Sequence, residues 1–165
     1  VARPFWNNPM LPMLFLVSAL KAGTASICLV GCVSTGIGWM SREQIEANKF
    51  IIHSIDFFLM ILSIITILLF VFGLYSAPGS SAEAAGLIMG GEFTFLFWGI
   101  AVAVGVLLPL FLELYELLPH FVGQRAMPAH NPWLSGATTL SVLVGGYILR
   151  HVVVYAGQAA NLVTL

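Results

Sequence analysis

VGGYILRHVVVYAGQ, residues 144–158, belongs to the last of four long apolar stretches in this chain and carries Arg150 deep inside that stretch. A guanidinium near the centre of a bilayer costs about 2.5–3.5 kcal/mol even on the more lenient insertion scale. Such a charge is retained where it faces a partner, a water-filled cavity or a transport path. We therefore expect this stretch to do more than anchor the chain.

The composition of the whole chain is that of a membrane protein. Of its 165 residues, 59% are hydrophobic and 8% are charged, whereas soluble domains carry about 25% charged residues. Four apolar segments, A to D, each exceed the roughly 20 residues that span a bilayer as a helix; they are Leu11–Met40, Phe50–Tyr75, Phe93–Leu118 and Trp133–Ala156. The sequence predicts an all-α integral membrane protein, with residues 1–165 forming one antiparallel four-helix transmembrane bundle.

The connections between the segments are short, at Ser41–Lys49, Ser76–Glu92 and Pro119–Pro132. We interpret all three as loops. None of them can hold a soluble domain, so a redox or catalytic head would have to come from another polypeptide. The net charge of −1 gives no indication of a nucleic-acid partner.

The distribution of positive charge predicts the orientation in the membrane. Connections A–B and C–D together carry Arg42, Lys49 and Arg125, while the opposite side has Arg3. By the positive-inside rule, these two connections face the cytoplasm and both termini face outward.

Five ionisable side chains inside the segments are candidate functional residues: Lys21, His53, Asp56, Glu113 and Arg150. When depth is counted from the segment ends, Lys21 and Arg150 fall in the half nearer the termini. The other three fall in the half nearer connections A–B and C–D. His53 precedes Asp56 by one turn, on the same helix face. A bundle with cations in one half and titratable acids in the other is typical of a proton or ion path.

Pro109 adds a polar backbone group to this interior. Proline has no N–H, so the carbonyl of Gly105 loses its helical donor and the helix is expected to kink. A freed carbonyl in a bundle core is a natural place for a water molecule. Glu113 follows one turn further along the segment.

Each candidate also has a purely structural interpretation. Asp56 with His53 can pin the end of segment B, and Lys21 can form a structural pair within the bundle. Arg150 can clamp backbone carbonyls of a neighbouring segment. The spacing of these residues leaves both interpretations open.

Neither a metal site nor a haem is expected in this polypeptide. Cys28 and Cys32 are two thiols, which cannot supply a four-ligand metal site, and we interpret them as small packing residues. A membrane haem b needs two inward histidines at matching depth. The histidines inside the segments, His53 and His151, fall in opposite halves.

Three stretches occur together in a familiar order: WNNPMLPMLFLVSAL at residues 6–20, then Ile55-Asp56, and then Phe97–Leu110 followed by residues 145–158. Together they resemble the second half of the NrfD/polysulfide-reductase membrane-subunit family, over nearly the whole chain. Only the counterpart of the family's last four helices is present, and the chain begins without Met. We therefore expect a fragment in which the N-terminal half of the family fold is absent.

The resemblance implies an eight-helix subunit, made of two four-helix bundles, in a bacterial or archaeal inner membrane. Such subunits hold no haem or metal. They exchange electrons between a quinone (menaquinone or ubiquinone) and a ferredoxin-like iron–sulfur partner. That partner continues to a molybdopterin enzyme or a multihaem cytochrome c. The family's quinone pocket lies mainly in the first bundle, so no quinone ligand transfers to this sequence. Asp56 and Arg150 match the family pattern best.

The resulting hypothesis is a quinone-interacting membrane subunit of a respiratory complex. In it Asp56 with His53 would exchange protons, Glu113 would relay them near the cytoplasmic mouth, and Arg150 would fix a water chain or bias the carboxylates. Two alternatives remain: a structural anchor for a redox complex, and an independent proton or ion transporter. If the chain is a structural anchor, the subunit is non-catalytic.

Overall fold

The structure is a computed structural model that describes residues 5–37, 42–76, 80–121 and 132–160. These residues form helices joined by short turns, and no strand occurs among them. In chain order the elements are α1 (Leu11–Ile37), α2 (Arg42–Ser76), α3 (Ser80–Met89), a π-helical segment (Phe95–Leu107) that continues into α4 (Leu108–Phe121), and α5 (Pro132–Ala159).

The structure confirms the prediction of an all-α protein with four membrane-spanning helices. The helical stretches that are long and apolar enough to cross a bilayer are Leu11–Ser34, Ile51–Ser76, Phe95–Tyr115 and Ser135–Ala159. A helix satisfies its own backbone hydrogen bonds, which is the condition for crossing a hydrocarbon layer without water. The protein is therefore a multi-pass membrane protein.

Two predicted loops are helical. The connection predicted at Ser41–Lys49 is part of α2, which begins at Arg42. The connection predicted at Ser76–Glu92 contains α3, whose side chains Ala84, Ala85 and Ile88 are buried against the bundle. Alanine is the strongest helix former and favours a helix here. The Ser and Gly content of the connection had instead indicated a loop.

Segment C departs from the continuous helix expected of it. Residues Phe95–Leu107 form a π-helix, in which the Leu108 N–H donates to the carbonyl of Ala103, five residues earlier. A wider turn of this kind is rare and occurs most often at functional sites. Pro109 follows directly and cannot donate a backbone hydrogen bond, so the change back to α-helical geometry coincides with a missing donor.

Helix α5 packs against α1 and against the π-helical segment. The closest approach joins two glycines: a Cβ atom added to Gly105 would lie 2.5 Å from the Cα of Gly145. Small residues allow this backbone contact between membrane helices. The contact packs the π-helical segment, which contains the Gly105 carbonyl, directly against α5.

Side chains at the N-terminal end fix the level at which α1 enters the bundle. Asn8 Nδ2 donates to the carbonyl of Phe70 in α2 at 2.9 Å, and Asn8 Oδ1 accepts from the backbone N–H of Met10 at 2.9 Å. Trp6 Nε1 donates to the carbonyl of Val153 in α5 at 3.2 Å. These bonds tie the start of α1 to two neighbouring helices.

The predicted orientation in the membrane stays a prediction. Among the positively charged residues behind it, Arg3 and Arg125 lie outside the described residues, and the side chains of Arg42 and Lys49 are not described.

Candidate functional site

Three of the four charged residues inside the spans point into the bundle. Lys21 of α1, Asp56 of α2 and Glu113 of α4 have 5%, 5% and 4% of their surfaces exposed. Arg150 of α5 is exposed. Three charges buried in one bundle must compensate one another, because an isolated buried charge is very unfavourable.

Lys21 lies with the two acids. Its Nζ donates to the carbonyl oxygen of Gly105 at 3.3 Å, and both Asp56 and Glu113 attract its charge. The prediction that Lys21 occupies the opposite half of the bundle from these acids was wrong. We expected Pro109 to leave the Gly105 carbonyl free for a water molecule. This carbonyl instead accepts a hydrogen bond from the Lys21 ammonium group.

The register between α1 and α2 explains the error. The Asn8–Phe70 bond places these two residues at one level. Thirteen residues further along α1 is Lys21, and thirteen residues back along α2 is Phe57, next to Asp56. Counting depth from the segment ends matches Leu11 with Tyr75, which displaces one helix against the other by about 12 Å at 1.5 Å per residue.

The carboxylate of Asp56 is held by a side chain that the sequence analysis did not identify. Thr24 Oγ1 lies 2.7 Å from Oδ1 of Asp56 and 2.9 Å from the carbonyl oxygen of Lys21. A hydroxyl has one proton and can donate to one of these oxygens at a time. Thr24 lies close to Lys21 on α1, so its role depends on the helix register and had no separate sequence signal.

His53 meets an acid on another helix. Its Nδ1 lies 3.8 Å from Oε1 of Glu113, joining α2 to α4. The spacing of His53 and Asp56 on one helix could not predict this contact. Glu113 therefore lies beside His53 inside the bundle. The sequence had instead predicted a separate relay near the cytoplasmic mouth.

Two small cavities flank this cluster, which we call the buried ionic cluster (Lys21, His53, Asp56 and Glu113). The first is lined by polar side chains of four helices, and each cavity has room for about one water molecule. Its lining residues are Cys28, His53, Asp56, Leu112, Glu113, Ser135, Thr138 and Thr139. The second cavity lies on the other side of Lys21, beside Ser18 and Ser63.

Ser18 marks the second cavity as a water site. Its Oγ is buried and has no hydrogen-bond partner among the described residues. A buried hydroxyl without a partner is unfavourable, and a water in the cavity would satisfy it. Lys21 borders this cavity, while the other three members of the buried ionic cluster border the first. Polar groups thus continue through the bundle across Lys21.

Arg150 does not join this cluster. The described residues give it no hydrogen bond or ion pair, and it lies on the outer face of α5. The prediction that it fixes a water chain or biases the carboxylates stays a prediction. His151 stacks between two tyrosines of α5, with ring centroids 6.2 Å from Tyr147 and 4.2 Å from Tyr155.

Among the described residues, no group of three or more His, Cys, Asp and Glu side chains is arranged to hold a metal ion. The two cavities are also far too small for a quinone ring.

A four-span helical bundle with a buried ionic cluster defines a class: polytopic membrane proteins with ionisable groups in their interior. Residues 1–161 match the family model described as polysulphide reductase, NrfD, and the chain belongs to this family. The resemblance found in the sequence is thereby confirmed.

Three curated relatives align with most of the chain. The C component of polysulfide reductase from Wolinella succinogenes is 30% identical over 156 residues, which are 94% of this chain and 45% of the relative. Protein NrfD homolog of Haemophilus influenzae is 27% identical, with 96% and 45% covered. Protein NrfD of Escherichia coli is 29% identical, with 94% and 44% covered. The chain thus spans less than half the length of these relatives. No solved structure matches it significantly.

Proposed function

We propose that this chain is part of a membrane subunit of a respiratory oxidoreductase complex, and that its buried ionic cluster moves protons for that complex. The subunit exchanges electrons with membrane quinone, menaquinone or ubiquinone, through an iron–sulfur partner. That partner passes them to a molybdopterin or multihaem cytochrome c subunit. Family membership and the relative named as a component of polysulfide reductase support the redox part. The two cavities are too small for a quinone, so the proposed quinone site would lie elsewhere in the protein.

The charge of the buried ionic cluster is the observation that carries the proton part. It contains one lysine, two carboxylates and one histidine, all within the bundle. With Lys21 protonated and both acids ionised, the cluster has one negative charge too many. Buried charges are stable when they are compensated, so the neutral cluster carries one additional proton.

That additional proton has two neighbouring positions. His53 Nδ1 and Glu113 Oε1 lie 3.8 Å apart, and the first cavity beside them has room for about one bridging water. Transfer between these atoms keeps the total charge constant. Asp56, held by Thr24, then acts as the fixed counter-charge of Lys21. This arrangement supports an exchangeable proton shared by His53 and Glu113, with Asp56 in the role of holding the cation.

Glu113→Gln tests the proposal in the complete complex, reconstituted in vesicles. The readout is the number of protons moved per electron during quinone-dependent turnover, followed with a pH-sensitive dye. The amide keeps the shape of the carboxyl group but cannot release a proton, so we expect proton movement to be lost while electron transfer to quinone continues. Asp56→Asn is expected to lose coupling as well, with assembly intact.

Glu92→Gln is the matched control, because Glu92 is an exposed carboxylate in the same part of the sequence. It should leave the proton-to-electron ratio unchanged. A normal ratio in Glu113→Gln would exclude the proposed proton transfer.

A structural anchor is the second candidate function. It is favoured by the bond from Lys21 to the Gly105 carbonyl, which joins α1 to the π-helical segment regardless of any proton transfer. Under this alternative, Glu113→Gln and Asp56→Asn would lower the yield of assembled complex, and the complex that remains would couple normally. Measuring yield and coupling in the same preparation separates the two functions.

A further inference from the structure

The outer face of α5 changes character halfway along the span. Its first half exposes apolar side chains, Leu140 at 57% and Val144 at 43%. Its second half carries Val154 at 40% among polar and aromatic side chains, which we call the polar α5 face: Tyr147, Arg150, His151, Tyr155 and Gln158. Positions three and four residues apart lie on one side of a helix, so these five residues form one continuous surface.

The outer faces of α1 and α2 show what a lipid-facing helix looks like in this protein. Their large exposed side chains within the spans are apolar, apart from Tyr75 at the end of α2: Met13, Leu16, Leu20, Ile27, Val30 and Val33 on α1, and Ile51, Ile55, Phe58, Ile61, Ile65, Leu68, Leu69 and Phe72 on α2. Arg150 is the one charged residue of the described spans that is exposed. The polar α5 face is therefore poorly suited to hydrocarbon.

Lipid headgroups are too far away to satisfy Arg150. The span of α5 runs over Ser135–Ala159, and Arg150 is three residues beyond its midpoint, Tyr147. Nine residues separate Arg150 from Ala159, which is about 13 Å along a helix. Snorkelling serves residues near helix ends. The counter-charge of Arg150 must come from within the membrane.

We propose that the polar α5 face docks a membrane-spanning helix that presents a carboxylate opposite Arg150, and that this helix belongs to the same polypeptide, outside the stretch that aligns with the relatives here. Those relatives are more than twice as long as the aligned stretch, since it covers 44–45% of them. Arginine forms paired hydrogen bonds with a carboxylate. The proposal rests on family membership and is independent of proton transfer in the buried ionic cluster.

The neighbouring rings of the polar α5 face add aromatic surface beside the charge. His151 lies with its ring centroid 4.2 Å from that of Tyr155, and Tyr147 is exposed over 66% of its surface. The hydroxyl group of tyrosine and the ring N–H group of histidine can form hydrogen bonds across a helix interface. The partner helix thus meets aromatic surface on both sides of its carboxylate.

The test is photocrosslinking in the full-length protein in its native membrane. Benzoylphenylalanine replaces Tyr147 in one variant and Phe72 in the other, where Phe72 is exposed to 68% on the apolar outer face of α2. Arg150 is kept in both, and the new side chain resembles the one it replaces. We expect the Tyr147 probe to attach to an apolar peptide with an Asp or Glu from the same polypeptide, and the Phe72 probe to attach to lipid.

Other products at the Tyr147 probe overturn the proposal. They are lipid adducts alone, a peptide without a carboxylate, α5 of a second copy, or a peptide of a separate subunit.

Charge exchange with the identified carboxylate provides an independent check. Arg150→Glu alone should reduce the yield of folded protein about tenfold or more, because it leaves two like charges facing each other in the membrane. Adding Arg at the position of the partner carboxylate should restore most of the yield. Failure of the second substitution to restore the yield would contradict a direct pair. Coupling by the buried ionic cluster is a separate measurement, so the two proposals can fail independently.

Discussion

Replacing Lys21 with methionine removes the cation from a cluster that holds two buried carboxylates. Lys21 is 5% exposed, donates to the Gly105 carbonyl and compensates Asp56 and Glu113. Removing one partner of a buried pair costs about 3–5 kcal/mol, because a charge is left uncompensated. The carboxylates can reduce this penalty by taking up a proton. We therefore expect a loss of about 3 kcal/mol, the lower end of that range.

The loss can be measured as a change in thermal unfolding of the full-length protein in detergent, followed by tryptophan fluorescence. Each kcal/mol shifts the Tm of a protein of about 150–250 residues by about 2–4 °C, and less for a longer one. With about 2 °C per kcal/mol as the upper value for a longer protein, Lys21→Met should lower the Tm by up to about 6 °C. Ser26→Ala is the control, because Ser26 is an exposed polar residue on the same helix.

A second substitution distinguishes charge compensation from a loss of packing. Asp56→Asn in the Lys21→Met background removes one of the two uncompensated acids, and it should recover part of the lost Tm. Residues that belong to one hydrogen-bond and charge network interact by about 0.5–3 kcal/mol in such double-mutant cycles. An unchanged Tm in Lys21→Met, or strictly additive losses in the double variant, would refute the compensation of Lys21 by Asp56.

Two further predictions concern the contacts that set helix positions. Gly145→Ala should destabilise the protein by about 1–3 kcal/mol, because the new Cβ would collide with the backbone of the facing helix; Gly136→Ala, on the same helix with open space around it, should be neutral or stabilising by up to about 1 kcal/mol. Thermal unfolding of both variants checks this, and equal losses would contradict it. Asn8→Ala should cost about 1–2 kcal/mol, since it removes two hydrogen bonds, one from the Met10 N–H in the turn before α1 and one to the Phe70 carbonyl of α2, while Asn7→Ala, at an exposed neighbouring amide, should cost little. An equal Tm for these two asparagine variants would contradict the role assigned to Asn8.

Composition and segment length were sufficient to predict the spans, while the family was predicted from the resemblance of three sequence stretches. A run of more than about 20 apolar residues has few stable solutions other than a membrane helix, so this inference needs no tertiary information. The α3 helix and the π-helical segment were missed for a physical reason. Each depends on what packs against it: Ile88 is buried by the bundle, and the π-helical segment meets α5 through Gly105 and Gly145.

The sequence also determined which residues are chemically unusual. Lys21, His53, Asp56, Glu113 and Arg150 were identified because an ionisable group in an apolar span is unfavourable wherever the helix lies. That reasoning needs only the sequence. It does not depend on which neighbour each group finds.

The tertiary structure alone decided which of these residues meet. A helix can slide along its axis or rotate about it without changing its own hydrogen bonds, so its sequence does not fix its register against a neighbour. The Asn8–Phe70 bond sets the level of α1 and thereby brings Lys21 to Asp56. The rotation of α5 turns Gly145 inward and Arg150 outward. The sequence therefore shows which ionisable side chains lie in the spans, whereas the packing between helices determines which of them contact one another.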